Sequence, residues 1–327
     1  MRTEDVVKIV NFELEHVEAA ADIFIGTYRT VKKSCSLLPD KYMNKDVIQQ
    51  LLKRILKDND GVVAISNNRV VGYLTGFIIP NFKSSHPGVY TPEWGHSVSH
   101  EDARNLYELM INTLFDKWLE KECVVHAITH FSHDYELTNK LFWSGYGMFV
   151  VDAVREPSHL NIETNDHVAI KTATSYDVKQ IVELMKEHTD YMSSPPTFLP
   201  NDGYLTVKDV AGWLDHPNRV VRIAKSEGNV IGIMNTVTNA TNACTVVRDT
   251  TTLTIKETHV TKSAKGLGVG KLLLQDVNQY AIQNGFERIS VDFESANLEA
   301  MRFWLKHFES ICFSVIRYID DTHIKTK

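Results

Sequence analysis

Cysteine is scarce and never clustered: Cys35, Cys123, Cys244 and Cys312 are the only four in 327 residues. Such scatter excludes a disulfide scaffold and the paired-thiol pattern of structural zinc, and it fits reduced thiols in a cytoplasmic protein. Runs of Lys or Arg are absent and the formal net charge is −6, so no nucleic-acid partner is expected. An acidic surface suits a cationic amine instead. Apolar stretches long enough to span a membrane are also missing. Met1-Arg2-Thr3-Glu4-Asp5 has no apolar core behind it, so neither membrane association nor a signal peptide is expected. With 43% hydrophobic and 23% charged residues, the chain has a globular composition and length enough for two domains.

Metal-ligand patterns are lacking too. His126, His130, His133 and Asp134 lie close together, but neither Cys nor Glu completes a site at recognised spacing. They read, with His96, as satisfied histidines, and no metal is expected.

What is present is concentrated in residues 254–271. The stretch from Leu253 to Val260 alternates and is rich in β-branched residues, which predicts a strand. Gly266, Gly268 and Gly270 follow at alternate positions. From Lys271 the spacing turns helical, with Leu272, Leu273, Val277, Tyr280 and Ala281 able to share a face and Asn284-Gly285 as a stop. A strand, a glycine loop and a helix make an anion cradle: glycine lets the backbone approach the ligand, and the first free N–H groups of the helix face it. The nucleotide P-loop is excluded, because Leu272 follows Lys271. The dinucleotide fingerprint is excluded as well, because the spacing is Gly-x-Gly-x-Gly. A second strand is predicted from Arg288 to Phe293, ending in Glu294-Ser295-Ala296-Asn297, with Ala300 and Phe303-Trp304 beyond it.

These two stretches resemble the cofactor motifs of the GNAT superfamily of N-acetyltransferases. Lys265, Gly268 and Gly270 take the first, fourth and sixth places of its Arg/Gln-x-x-Gly-x-Gly/Ala loop, with Lys for the usual Arg or Gln. Asn297, Ala300 and Phe303-Trp304 match its next motif. The resemblance covers residues 167 to about 320 and implies an α/β (α+β) fold, a mixed, mostly antiparallel twisted sheet flanked by helices. It further implies a splayed parallel strand pair that takes the pantetheine arm of coenzyme A, and direct transfer of an acetyl group from acetyl-CoA to an amine. On this reading the backbone of Lys265, Gly266, Leu267, Gly268, Val269, Gly270 and Lys271 holds the pyrophosphate. His259 and Val260 hold the pantetheine amides and polarise the thioester, while Asn297 and Phe303 line the far wall.

Elements in the first half repeat the order of the second: strand, helix, helix, hairpin, strand, helix, strand, helix, strand. Gly72-Tyr73 lies where Gly232-Ile233 lies, and Asn67-Asn68 and Glu227-Gly228-Asn229 close the two hairpins. Two GNAT-like copies are therefore expected, at residues 1–157 and 166–327, with 158–165 as linker. Residues 86–97 read as a loop. The first copy's candidate cofactor loop, residues 97–105, has no glycine, so that copy is expected to have lost coenzyme A and to serve as scaffold or wall.

An amine must lose a proton before it attacks. Lys256, Glu257 and His259 sit on the strand before the loop, and Glu257 is the first choice for the base, followed by Glu294 and Asp292. In plain alternation Glu257 and His259 share a face with Leu253 and Ile255, unless a bulge shifts the phase. Many members of the superfamily carry Tyr where Trp304 stands here, and an indole N–H does not titrate. That leaves Tyr318, Cys312 or solvent to serve the leaving thiolate, or else a non-catalytic acetyl-CoA sensor. Residues 190–206, with Pro195, Pro196, Pro200, Tyr191 and Phe198, are expected to shape the wall over a small amine or the exposed amine of a larger molecule. A third reading, acylation of a thiol-cofactor precursor as in the mycothiol synthase group, shares only the two-copy layout.

Overall fold

The computed structural model describes residues 7–99, 105–162, 165–238, 240 and 244–322. The first half runs β1 (Lys8–Asn11), α1 (Val17–Ser34), α2 (Lys45–Leu56), β2 (Gly61–Ser66), β3 (Arg69–Thr75), β4 (Phe77–Ile79), β5 (Gly88–Thr91), β6 (His96–Val98), α3 (Leu106–Glu120), β7 (Val125–Phe131), α4 (Tyr135–Trp143) and β8 (Gly147–Arg155). The second runs β9 (Ala169–Thr172), α5 (Val178–Ser193), α6 (Val207–Asp215), β10 (Arg219–Ser226), β11 (Asn229–Thr238), β12 (Thr252–Val260), α7 (Val269–Gln283), β13 (Arg288–Glu294), α8 (Leu298–His307) and β14 (Glu309–Tyr318). Two units result, each with its own helices against mixed, mostly antiparallel strands. The first holds the described parts of 7–151 with the segments 244–246 and 311–322; the second holds the described parts of 152–243 and 247–310.

In the first unit β1, β2, β3 and β6 form one antiparallel sheet. Its hairpin turns at Asn67 and Asn68, with φ of +50° and +60°, a left-handed pair that asparagine tolerates and a two-residue turn requires. Val62, Leu74, Met110, Leu114 and Trp118 form the core beneath α3. The loop expected at residues 86–97 is a misreading, since β5 and β6 both fall within it. Strands β3 and β4 part at Gly76, where a Cβ would stand 2.4 Å from Val89 Cγ1. Short strands punctuated by Pro87, Pro92 and Gly95 carry too few alternations to show a period.

Two segments from the far end of the sequence belong to this unit. Strand β14 pairs antiparallel with β7, from Cys312 opposite Phe131 to Tyr318 opposite Val125. Around Thr245, Trp94 Nε1 donates to Thr245 Oγ1 at 3.0 Å and Val246 N to Glu93 Oε1 at 2.7 Å.

In the second unit β9, β10, β11 and β12 are antiparallel neighbours, and β13 adds to β12 in parallel. Buried residues of α5 recur at helical spacing, Val178, Ile181, Leu184 and Met185, and pack with Val210 of α6 on Val221, Ile223 and Ile233. The other face receives α7 at Gly232, where a Cβ would lie 3.0 Å from Val269 Cγ1 and 3.3 Å from Leu273 Cδ1.

The internal repeat survives in the registers. Ala64 pairs with Gly72 and Ala224 with Gly232, and in both hairpins the register shifts at the next residue. Gly72 does for α3 what Gly232 does for α7: a Cβ there would sit 3.0 Å from Val98 Cγ1 and 3.4 Å from Met110 Cε. Helices α4 and α8 are capped alike, Asp134 accepting from Leu137 N at 2.9 Å and Asn297 from Ala300 N at 3.2 Å.

Candidate active site

The parallel ladder between β12 and β13 is short. It runs from Thr252 opposite Arg288 to Ile255 opposite Val291, and beyond that point the strands separate. On its other edge β12 carries a bulge. Met234 pairs with Thr258 and Thr236 with Ile255, so Lys256 and Glu257 together oppose Asn235. Ile255 and Thr258 therefore share a face, and Glu257 and His259 lie on the opposite one. Plain alternation placed those two side chains with Leu253 and Ile255; the extra residue reverses the phase.

A cleft of about 510 Å³ lies between the separated strands and the loop that follows. One wall is Thr258, His259 and Val260; the other is Asn297, Ala300, Phe303 and Trp304 from the start of α8. Ala264, Lys265, Gly266, Gly268, Val269, Gly270 and Lys271 form the end. The sequence reading named most of this lining. It placed Tyr191 only in the expected acceptor wall and missed Glu299; both border the cleft, and nothing in their local spacing signals that α5 reaches the cap of α8. Of the expected cradle residues, Leu267 faces a second, polar hollow of about 700 Å³ with Asn165 and His167, on the outer side of the loop. Glu257, Glu294, Cys312 and Tyr318 do not line the cleft.

The loop has the geometry of a cradle. Gly266 and Gly268 take φ of +81° and +78°, values that cost other residues strain. Gly268 is the N-cap of α7. Lys271 N and Leu272 N turn back to Gly268 O at 3.0 and 3.1 Å, so the N–H groups of Val269 and Gly270 stand outside the ladder of the helix, where the positive end of its dipole lies. Gly270 keeps α7 close to α8: a Cβ there would touch Phe303 Cε2 at 3.4 Å. In the first unit Asn105 caps α3 in the same left-handed conformation, φ +72°, but residues 100–104 of that expected loop lie outside the described residues.

A polar network crosses the cleft. Tyr191 Oη donates to Asn297 Oδ1 at 3.0 Å and to Glu299 Oε2 at 3.3 Å. Lys265 Nζ donates to the same Glu299 oxygen and lies 4.5 Å over the Tyr191 ring. The hydrogen bond from Lys265 holds the Glu299 carboxyl below its ordinary range, and burial pushes the Tyr191 phenol up. His259 is buried, which lowers its pKa. Its Nε2 is 3.3 Å from Glu187 Oε1, whose carboxylate works against that lowering. Beside it His188 is pushed down to about 4 by burial.

Glu257 sits where the bulge turns it, accepting from Asn235 Nδ2 at 2.7 Å, with Arg219 Nη1 at 3.8 Å. Lys256 pairs with Asp292 across the opening of the strands, at 3.0 Å. Trp304 is buried between Phe303 and Phe308. Among the described residues, no group of acidic, His and Cys side chains could hold a metal. The histidines of the first unit are mostly backbone-bound: His96 bridges Tyr107 Oη and Thr129 O, and His126 and His130 each meet one carbonyl, with their second nitrogens buried and unpartnered. All four cysteines are buried, and none is in a disulfide.

Residues 181–308 match the family model for the acetyltransferase (GNAT) family. No curated protein matches the chain by sequence. Among solved structures, a GCN5-related N-acetyltransferase from Sphaerobacter thermophilus superposes with a TM-score of 0.60 at 10% identity, covering 95% of each chain. A tandem GNAT protein from the clavulanic acid biosynthesis pathway gives 0.51 at 12% identity, over 96% of this chain and 98% of that one. A GCN5-related glucosamine N-acetyltransferase region of a fungal multi-domain β-N-acetylglucosaminidase gives 0.53 at 12% identity, over 96% of this chain and 38% of that one. At these identities the likeness is one of fold. Among the described residues, no helix is long and apolar enough to cross a membrane.

Proposed function

We propose, from the match of residues 181–308 to the acetyltransferase (GNAT) family, that this chain moves an acetyl group from acetyl-CoA to a primary amine within one ternary complex. The observation that carries this reading is the coincidence of a left-handed glycine cradle at the N-terminus of α7 with a strand pair that parts at Ile255 and Val291. A pyrophosphate takes the N–H groups of the loop, and the pantetheine arm fills the slot between Val260 and Asn297. The nucleotide end takes the hollow beside Leu267. The chain has sequence copies at 1–157 and 166–327, and the second holds the cofactor.

The residues divide the chemistry among them. The backbone at His259 and Val260, which lines the cleft, polarises the thioester carbonyl and steadies the oxyanion as the amine adds. Glu257 takes the proton the amine must lose; Glu294, at the end of β13, is the alternative. Collapse breaks the C–S bond and the thiolate is protonated from solvent, because Trp304 offers no titrating group. That same Trp304 favours the second reading, a non-catalytic module that senses acetyl-CoA. Acceptors are small amines or exposed amines of larger molecules. The glucosamine N-acetyltransferase named among the structural neighbours puts amino sugars in the first panel, beside polyamines, amino acids and peptides. A cytoplasmic setting follows from acetyl-CoA itself and from the buried cysteines, none of them in a disulfide.

Calorimetric titration of acetyl-CoA, followed by thiol release over that panel, is the test. Binding at one site per chain with amine-dependent release establishes the transferase. Binding with no release from any amine moves the assignment to the sensor, and no binding removes both.

A further inference from the structure

Lys256 and Asp292 lie outside the lining of the cleft, at the point where its two strands part. The backbone ladder of β12 and β13 stops at Ile255 and Val291. The next residue on each strand, Lys256 and Asp292, carries on the pairing through side chains, Nζ to Oδ1 at 3.0 Å. Lys256 is the better buried, with a side chain only 7% exposed against 32% for Asp292. One step behind, the Thr254 and Ser290 hydroxyls are hydrogen-bonded across the same two strands at 2.8 Å, both fully sheltered from water. Two successive polar bridges therefore fill the angle where the strands part.

We propose that the Lys256–Asp292 pair is an acyl-length stop that restricts the donor to short acyl-CoA thioesters. This rests on the reading of the cleft as an acyl-CoA site. The arm enters beside the glycine loop and runs toward the vertex, so the acyl group is the part that meets Lys256 and Asp292. An acetyl methyl ends short of them. Each further methylene is driven against an ion pair that a hydrocarbon cannot satisfy, and displacing the pair leaves charges buried without partners. The bridges behind it are hydroxyls, so no apolar tunnel continues beyond the stop.

The experiment compares the affinities of acetyl-, butyryl- and hexanoyl-CoA for the purified full-length chain by calorimetry, without any acceptor. Wild type is expected to bind hexanoyl-CoA at least about thirty-fold more weakly than acetyl-CoA. In Lys256→Val/Asp292→Val, short apolar residues suited to strands, the gap is expected to shrink to about threefold or less. Should that pair not fold, Lys256→Ala/Asp292→Ala serves in its place. Equal affinity of wild type for acetyl- and hexanoyl-CoA overturns the proposal whatever the variants do, and so does a gap unchanged in a folded double variant. A wild type that binds none of the three thioesters instead removes the acyl-CoA reading on which the proposal stands.

Discussion

Lys265 donates to Glu299 across the mouth of the cleft, with the ammonium lying over the Tyr191 ring. The residue at the basic place of the loop is thus held by an internal carboxylate, which on the proposed reading competes with the pyrophosphate of acetyl-CoA. Both side chains are substantially exposed, 36% and 60%, so the pair is worth little, about 1 kcal/mol or less. Glu299→Gln removes the competitor and keeps the hydrogen-bonding shape. Acetyl-CoA is expected to bind about two- to fivefold more tightly, with the gain fading as salt is raised. Weaker binding, measured by calorimetry at two ionic strengths, would show that Glu299 supports the cofactor rather than competing with it.

How the sequence disclosed this site follows from which constraints are local. Gly266, Gly268 and Gly270 are conspicuous because left-handed backbone and close helix packing each demand glycine. The repeat was legible because both hairpins need the same glycine under a helix, Gly72 and Gly232. The contact of Tyr191 with the start of α8 was hidden, since its partners Asn297 and Glu299 are more than a hundred residues away. The face of Glu257 was hidden for a different reason: a single inserted residue inverts a period-two pattern, and only the pairing with Asn235 reveals where the insertion lies. Nor did spacing announce that β14 joins β7, because strand pairing partners are chosen by tertiary packing.

Glu257 is fixed by Asn235 at 2.7 Å, with Arg219 nearby. Glu257→Gln keeps the shape and removes the basicity. With an active amine, kcat is expected to fall about a hundredfold or more while acetyl-CoA affinity changes less than about twofold. Unchanged turnover would transfer the role to Glu294 or Asp292.

Burial holds His96, His126, His130 and His188 neutral, each with a pKa lowered to about 4 from 6.5. Because the folded pKa lies below the unfolded one, the unfolded chain binds more protons between pH 6.5 and 4. Their contribution is complete above pH 6.5 and is lost as pH falls through that window. Each costs on the order of 2 kcal/mol by pH 5. The melting temperature should therefore drop steeply between pH 7 and pH 5, and His126→Phe should flatten the fall. A melting temperature independent of pH over that range would contradict neutral burial of these rings.

Gly268 and Asn105 cap α7 and α3 in one left-handed conformation, φ +78° and +72°, so the same substitution at each asks which copy holds the cofactor. Gly268→Glu places a side chain and a negative charge in the cradle and adds backbone strain of about 1 kcal/mol. Acetyl-CoA affinity is expected to fall at least about a hundredfold. Asn105→Glu puts an equal charge at the matching helix start of the first unit, and affinity there is expected to stay within about twofold of wild type. Calorimetry should give one cofactor per chain in wild type and in Asn105→Glu, and none in Gly268→Glu. Two cofactors per wild-type chain, or a loss of one on changing Asn105, would mean that the first copy kept its site without glycine, since asparagine can supply the same backbone turn.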